Sequence, residues 1–173
     1  KMNTESIQNR CKKIKLLATD VDGVLTDGGR YYSEKGEQTK KFHVRDGMAV
    51  NILLRNGIKT VIITKENSKI VRKWAKDMNV SKVYSGVIKK EAELKNICKK
   101  FAVKKNEVAF IGDDVNDLEL MRHVGISATP NDGIKQIKQN ADIICKLNGG
   151  EGVFRELSDF ILSIKFPSKT KWY

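Results

Sequence analysis

The sequence of 173 residues predicts a single α/β domain with three layers, built on a parallel β-sheet. Two observations predict this fold. Short apolar runs alternate with segments whose apolar residues recur at helical spacing, which is the pattern of repeated strand–helix–strand units. Polar clusters follow several of the apolar runs, as expected where the carboxyl ends of parallel strands form a ligand site. We expect residues 1–164 to form this domain and residues 165–173 to form a basic tail.

The elements are predicted in chain order from these periodicities. The first strand is the apolar run that begins at Ile14 and ends near Thr19. Residues 30–44 are different, because alternating residues on both sides of a turn at 34–37 predict a protruding β-hairpin. The other predicted strands are 59–64, 82–84, 107–111, 124–128 and 142–145. The predicted helices are at about 46–56, 70–78, 94–101, 115–122, 132–139 and 153–164.

Composition narrows the functional classes. No apolar run approaches the roughly 20 residues of a membrane span, and the polar first fifteen residues lack the apolar centre of a signal peptide. The three cysteines form no Cys-x-x-Cys pair, so we expect a reducing, cytoplasmic setting. The net charge of +12 is compatible with nucleic-acid binding or with a lysine-rich solvated surface. We favour the second and expect no nucleic-acid partner, because the lysines are spread along the chain with few aromatic residues among them.

A set of polar residues at the predicted strand ends indicates chemistry. Asp20 and Asp22 follow the first strand, Thr64 ends the second buried strand, and Lys90 and Asp113 follow later strands. Individually, these residues fit turns, a helix cap or surface charge. Together they combine the hard oxygen ligands that suit Mg²⁺ with a hydroxyl and an ammonium group for phosphoryl oxygens. An aspartate can attack phosphorus and a second one can transfer protons, so the set predicts phosphoryl transfer.

The chain has, in this order, an Asp-x-Asp-Gly-x-Leu-Thr motif at 20–26, Thr64, Lys90 and a Gly-Asp-Asp-x-x-Asp motif at 112–117. This order resembles the haloacid dehalogenase superfamily of phosphotransferases, from about residue 14 to residue 164. The segments 20–28, 42–47, 112–117 and 149–156 resemble more narrowly the 3-deoxy-D-manno-octulosonate 8-phosphate (KDO 8-phosphate) phosphatases and their nonulosonate 9-phosphate relatives. The resemblance implies a Rossmann-like domain that lacks a cap domain and acts on a small anionic sugar phosphate. It also implies a homotetramer in which the hairpins at 30–44 form a barrel between subunits.

The resemblance also implies a role for each residue at the strand ends. Asp20 would be the nucleophile and a Mg²⁺ ligand, and Asp22 the general acid and base, with its backbone carbonyl on the metal. Asp113 would complete the metal site, while Thr64 and Lys90 would hold the phosphoryl group. Four further residues are implicated more loosely: Arg45 and Gly47 would lie near the substrate, and Asp114 and Asp117 would support the metal site, Asp117 from behind the ligands.

Two departures from the family pattern leave the sugar open. After Thr64, many KDO 8-phosphate phosphatases have Gly-Arg, whereas this chain has Lys65 and Glu66. A glutamate there resembles the nonulosonate 9-phosphate branch and makes Glu66 a candidate substrate contact. Glu151 stands where a basic residue is frequent. We therefore expect a KDO 8-phosphate phosphatase first and a nonulosonate 9-phosphate phosphatase second. A third possibility is a non-catalytic tetramerisation module of an acylneuraminate cytidylyltransferase, which the complete catalytic set disfavours.

Overall fold

Six parallel strands form the central sheet in the order β5-β4-β1-β6-β7-β8. The structure is a computed structural model that describes residues 5–169 and residue 171, apart from the side chains of Glu37 and Gln38. The sheet strands are β1 (Leu16–Thr19), β4 (Lys59–Ile63), β5 (Lys82–Tyr84), β6 (Val108–Ile111), β7 (Ile126–Thr129) and β8 (Ile143–Ile144), and a separate hairpin is formed by β2 (Tyr31–Ser33) and β3 (Gly36–Thr39).

Helices cover both faces of the sheet, which confirms the predicted fold class. One face carries α1 (Ile7–Lys13), α2 (Val44–Arg55), α3 (Lys69–Asp77) and α7 (Val153–Lys165), and the other carries α4 (Lys90–Phe101), α5 (Leu118–Met121) and α6 (Lys135–Lys138). Strand β1 lies at the centre, and its four residues are all buried. Leu17 packs into the core on one face, while Leu16 and Ala18 pack into the core on the other, as the two-residue period of a strand requires.

The hairpin is shorter than predicted. Its second strand ends at Thr39, and Val44 is the first residue of α2 rather than the end of a strand. The cause is a helix cap, because the side chain of His43 accepts a hydrogen bond from the backbone N–H of Arg45. Phe42, which the alternating pattern placed on the hairpin, stacks on Trp74 with ring centroids 4.6 Å apart. The hairpin thus occupies 31–39 within the predicted span of 30–44.

The amino-terminal helix α1 was not predicted. Its sequence is polar, but Ser6 caps it and Arg10 and Cys11 are buried against the domain. The predicted tail at 165–173 overlaps the end of α7, and residues 170, 172 and 173 lie outside the described part of the chain. Across the residues that the structure describes, no helix is both long enough and apolar enough to span a membrane.

Candidate active site

The carboxyl ends of β1, β4 and β6 surround a cavity of about 240 Å³. Four residues predicted from the sequence to act together, Asp20, Asp22, Thr64 and Asp113, line it. They arrive there because β1 pairs in parallel with both β4 and β6, so that the loops after the three strands meet at one edge. The remaining lining residues are Gly23, Gly28, Arg30, Lys65, Glu66, Asp114 and Asn116.

Lys90 lies beneath this cavity between the carboxylates of Asp20 and Asp117, and we call these three residues its floor, although only Asp20 is among the lining residues. Its Nζ lies 2.8 Å from Oδ2 of Asp20 and 2.6 Å from Oδ1 of Asp117. The side chains of Lys90 and Asp117 are fully buried, and that of Asp20 is 9% exposed. Although burial of the ammonium group acts in the opposite direction, the two carboxylates raise the pKa of Lys90 above its ordinary value. Lys90 is therefore a fixed positive charge directly beside the predicted nucleophile.

Asp113 adds a third carboxylate to this region. One oxygen from each of Asp20, Asp113 and Asp117 lies within 4.8 Å of the others. Burial raises the pKa of Asp113 to about 8, and the charges of Asp20 and Asp117 act in the same direction. Burial likewise raises the pKa of Asp20 to about 6, with the Asp117 carboxylate adding to the effect and Lys90 opposing it. These raised pKa values mean that the ionised forms of Asp20 and Asp113 are unfavourable as the site stands, and a bound divalent cation would stabilise those ionised forms.

The donor set fits Mg²⁺, which prefers carboxylate oxygens and retains several waters. Asp20 and Asp113 are the members of the set that line the cavity, whereas Asp117 does not. The Oδ1 of Asp117 pairs with Lys90, and its Oδ2 accepts a hydrogen bond of 3.0 Å from the backbone N–H of Asp113. That arrangement agrees with a supporting role for Asp117.

Two glycines allow these carboxylates to approach the backbone. Gly23 has a φ of +84°, and a Cβ on it would collide with the carboxylate of Asp113. A Cβ on Gly112 would collide in the same way with the carboxylate of Asp117. Gly23 and Gly112 are therefore required by the close packing of the acidic groups.

Asp22 lies at the side of the cavity, and its carboxylate faces cations. The Nζ of Lys40 is 2.5 Å from Oδ1, and the guanidinium of Arg30 is 3.8 Å from Oδ2. The Lys40 side chain is fully buried and comes from the segment that joins the hairpin to α2. Within the described part of the chain, the cluster of converging carboxylates does not include Asp22. Asp22 thus lines the cavity apart from the three carboxylates that could hold a metal ion.

Thr64 and Glu66 lie on the loop after β4. Thr64 is buried, and its hydroxyl accepts a hydrogen bond of 3.3 Å from the backbone N–H of Glu66. The side chain of Glu66 pairs with Arg30 at 3.0 Å. Arg30 was not predicted as a site residue. The signal for it was its position directly after Gly28 and Gly29, which continue the loop that carries the aspartates.

Arg45 and Gly47 do not line the cavity. Arg45 is exposed in the first turn of α2. Gly47 is buried where α2 meets the side chain of Met78, and a Cβ there would collide with the Met78 sulfur. The structure thus gives Gly47 a packing role. Asp114, by contrast, lies at the exposed mouth and accepts a hydrogen bond of 2.6 Å from the backbone N–H of Val115.

The glycine-rich loop before α7 supports the aspartate loop from below. The backbone N–H of Gly150 donates to the carbonyl of Val24 at 2.9 Å, and Gly149 packs against the carbonyl of Gly23. Asp46 holds this loop through the start of α7, because its Oδ1 accepts a hydrogen bond of 2.9 Å from the backbone N–H of Arg155. Asp46 is fully buried, and burial raises its pKa to about 7.

A larger cavity of about 610 Å³ lies at the opposite, amino-terminal ends of β6 and β7. Its most deeply buried charged group is Arg10, which pairs with Asp142 at 2.6 Å and donates to the carbonyl of Gly125. None of the predicted site residues lines this cavity. Cavity size alone would therefore have indicated the wrong end of the sheet.

The geometry agrees with comparisons against known proteins. A family model described as haloacid dehalogenase-like hydrolase matches residues 58–157. The 3-deoxy-D-manno-octulosonate 8-phosphate phosphatase KdsC of Haemophilus influenzae is 36% identical over 162 residues, which are 94% of this chain and 90% of that protein. The chain belongs to the haloacid dehalogenase-like hydrolase family. The KdsC phosphatase of Escherichia coli K12 is 34% identical over 88% of this chain and 81% of its own length.

Two solved phosphatase structures share the fold over most of the chain. The Moraxella catarrhalis 3-deoxy-D-manno-octulosonate 8-phosphate phosphatase, in complex with magnesium, phosphate and KDO, aligns with a TM-score of 0.89 and 35% identity over 94% of each chain. The cobalt-bound form of the Haemophilus influenzae enzyme aligns with a TM-score of 0.88 and 35% identity, over 90% of this chain and 91% of that one. The predicted family and fold are both confirmed.

Proposed function

We propose that this protein is a Mg²⁺-dependent phosphatase that hydrolyses the phosphomonoester of a 3-deoxy-2-keto sugar acid, with KDO 8-phosphate as the first candidate. The observation that carries the proposal is the single cavity in which Asp20, Asp22, Thr64 and Asp113 meet above Lys90. The relatives named for KDO 8-phosphate hydrolysis, and the magnesium, phosphate and KDO of one of their structures, support the same chemistry.

The first half of the reaction would use Asp20 as the nucleophile. Its carboxylate is oriented on both oxygens, by the backbone N–H of Val21 at 2.7 Å on Oδ1 and by Lys90 at 2.8 Å on Oδ2. Attack on phosphorus forms an aspartyl-phosphate and breaks the ester bond to the sugar. Asp22 gives its proton to the departing alkoxide, so that the sugar leaves as an alcohol. Bound Mg²⁺ would supply additional positive charge to the phosphoryl oxygens.

The second half would restore the enzyme. Asp22, now ionised, takes a proton from a water molecule as the water attacks phosphorus, and inorganic phosphate and a free Asp20 carboxylate result. The Thr64 hydroxyl and Lys90 would hold the phosphoryl group through both steps, since phosphoryl transfer depends mainly on positioning and charge stabilisation. The position of Asp22 in the lining of the same cavity as Asp20 supports this assignment of proton transfer to Asp22.

One observation favours a second candidate substrate. Glu66 at the mouth of the cavity resembles the nonulosonate 9-phosphate branch, whose substrates are also phosphorylated 2-keto sugar acids. A phosphate-release assay with KDO 8-phosphate and the 9-phosphates of KDN, N-acetylneuraminate and legionaminate tests both candidates. The highest kcat/KM with KDO 8-phosphate would support the first, and a preference for a 9-phosphate would replace it with the second. No release from any of the four would indicate a non-catalytic module.

We also infer that the protein assembles as a homotetramer through its hairpin. Tyr31 and Tyr32 are 67% and 73% exposed on β2, and an isolated two-stranded hairpin has little stability of its own in water. Light scattering at assay concentration tests the inference. A mass of four chains is expected, and a fully active monomer would refute it.

A further inference from the structure

The cavity of about 240 Å³ lined by Asp20, Asp22, Thr64 and Asp113 is called the phosphoryl cavity below. A second cavity at this edge of the sheet, of about 410 Å³, opens beside it between the hairpin and the start of α3. Arg30 and Glu66 line both cavities, so these two side chains form the boundary between them. The other residues around the second cavity are Tyr32, Asn67, Ser68, Lys69 and Ile70. A substrate longer than a phosphate group would therefore extend from the first cavity across this boundary into the second.

The boundary is an ion pair that can open. The guanidinium of Arg30 lies 3.0 Å from Oε1 of Glu66, and the two side chains are 39% and 42% exposed. Ion pairs with this exposure contribute little to stability, because water screens the charges and competes for both groups. An incoming anion can therefore exchange with Glu66 at Arg30 without unfolding any part of the site.

The acidic lining of the phosphoryl cavity explains why a substrate anion would need to replace Glu66 at Arg30. Five acidic residues line the phosphoryl cavity, and its only lining cations among the described residues are Arg30 and Lys65. Lys90 is buried beneath the cavity and already paired with two carboxylates. A phosphorylated sugar acid is negative at both ends. Its phosphate is accommodated at the floor, but its carboxylate would be repelled by the acidic lining unless a cation met it.

We propose that Arg30 is the specificity-determining residue that binds the substrate's carboxylate. The planar guanidinium presents two parallel N–H groups that match a carboxylate, whereas the ammonium groups of Lys65 and Lys69 act only as point charges. When Arg30 turns to the substrate, Glu66 loses its partner and its carboxylate becomes an acceptor for the substrate's hydroxyl groups. This inference rests on the proposed function, because it requires a substrate that carries both a phosphate and a carboxylate.

The test compares two substrates across matched variants. KDO 8-phosphate carries the carboxylate, and p-nitrophenyl phosphate lacks it. We expect Arg30→Met to raise KM for KDO 8-phosphate by about 10- to 100-fold, as for loss of a charge-assisted contact. Arg30 also lies 3.8 Å from Asp22, so kcat/KM for p-nitrophenyl phosphate should fall too, but by clearly less than kcat/KM for KDO 8-phosphate. Arg30→Lys should recover part of the loss, because it restores the charge but not the two parallel N–H groups. Arg122→Met, which removes the same charge from an exposed helix-end pair with Glu119, is the control and should change neither substrate.

Each outcome separates the inference from the proposed function. Hydrolysis of KDO 8-phosphate by the wild type with an unchanged KM in Arg30→Met would overturn the role of Arg30 alone. Equal losses on both substrates would also overturn it, by showing a general effect on the site. A wild-type preference for a nonulosonate 9-phosphate would replace the proposed substrate, and the same KM comparison would then test Arg30 on that sugar acid. If the wild type hydrolyses only the aryl phosphate, both fail.

Discussion

The floor and the rim of the phosphoryl cavity are built on opposite principles. The floor, formed by Asp20, Lys90 and Asp117, has side chains between 0% and 9% exposed and ion pairs of 2.6–2.8 Å. At the rim, Arg30 and Glu66 pair at 3.0 Å, and both side chains are about 40% exposed. Removing the partner of a buried charge strongly destabilises a protein, whereas removing the partner of an exposed charge changes its stability little. The floor therefore has a single arrangement suited to chemistry, and the rim is free to rearrange around different sugars.

The largest effect is expected from changing the floor at Asp20. Asp20→Asn keeps the volume and a hydrogen-bond acceptor for the N–H of Val21, but it removes the attacking charge. Phosphate release should fall by several orders of magnitude, because uncatalysed phosphomonoester hydrolysis is among the slowest of reactions. Circular dichroism should show a wild-type fold. Turnover comparable to wild type in a folded Asp20→Asn protein would exclude Asp20 as the nucleophile.

A substitution at Asp22, which lies between the floor and the rim, tests whether this residue donates the proton to the leaving group. Asp22→Asn should slow hydrolysis of KDO 8-phosphate by about 10²- to 10⁴-fold, since a sugar alkoxide needs a proton as it leaves. The same variant should lose less activity on p-nitrophenyl phosphate, whose leaving group is stable as an anion. The ratio of the two losses is the quantity to measure. A ratio near one would argue against proton donation by Asp22.

Metal dependence tests the acidic cluster above the floor. A chelator should abolish activity, and Asp113→Ala should raise the Mg²⁺ concentration for half-maximal activity by at least about tenfold, since even outer-shell partners of a metal can contribute that much. The variant also removes a carboxylate that packs against Gly23, so thermal unfolding should be recorded in parallel. An unchanged Mg²⁺ titration in a folded protein would remove Asp113 from the metal site.

The smallest effect on activity is expected below the aspartate loop, at Asp46, where the quantity to measure is the free energy of unfolding. Its pKa is raised from 3.8 to about 7, mainly by burial, so the folded protein holds this proton more tightly than the unfolded chain. Its contribution to the free energy of unfolding is therefore greatest below pH 3.8 and declines as the pH rises towards 7.

Asp46→Asn has no such proton to lose. The stability of wild type relative to Asp46→Asn should fall between pH 4.5 and 7 by up to about 1 kcal/mol per pH unit, and then level off. Denaturant unfolding of both proteins across this range measures the difference. A difference that is constant with pH would mean that Asp46 titrates normally in the folded state.

Much of the candidate site could be predicted from the sequence, because several of its residues are encoded locally. Asp20, Thr64 and Asp113 each follow an apolar run, and a parallel sheet brings such positions to one edge. The helical stripe of 153–164 and the strands β4 and β5 were also predicted nearly to the residue. In each case a short stretch of sequence determines both the type of element and the residue at which it ends.

Glu66 at the rim was a predicted substrate contact, but its partner Arg30 and the residues that support the site could not be predicted, because these contacts join distant parts of the sequence. Lys40 lies 18 residues from Asp22 along the chain, and no periodicity marks it as a buried lysine. The hydrogen bond from the Arg155 N–H to Asp46 spans 109 residues. The predicted end of the hairpin was wrong for a related reason, since the cap formed by His43 starts α2 within a segment whose alternation suggested a strand.

The most direct test of this account is a crystal structure of the Asp20→Asn protein with Mg²⁺ and KDO 8-phosphate. We predict Mg²⁺ between residue 20 and Asp113, the phosphoryl group against Thr64 and Lys90, and the substrate's carboxylate on Arg30 with Glu66 released from it. Binding of the phosphoryl group anywhere else, such as in the larger cavity around Arg10, would contradict the central claim that the cavity at the carboxyl ends of the strands is where phosphoryl transfer takes place.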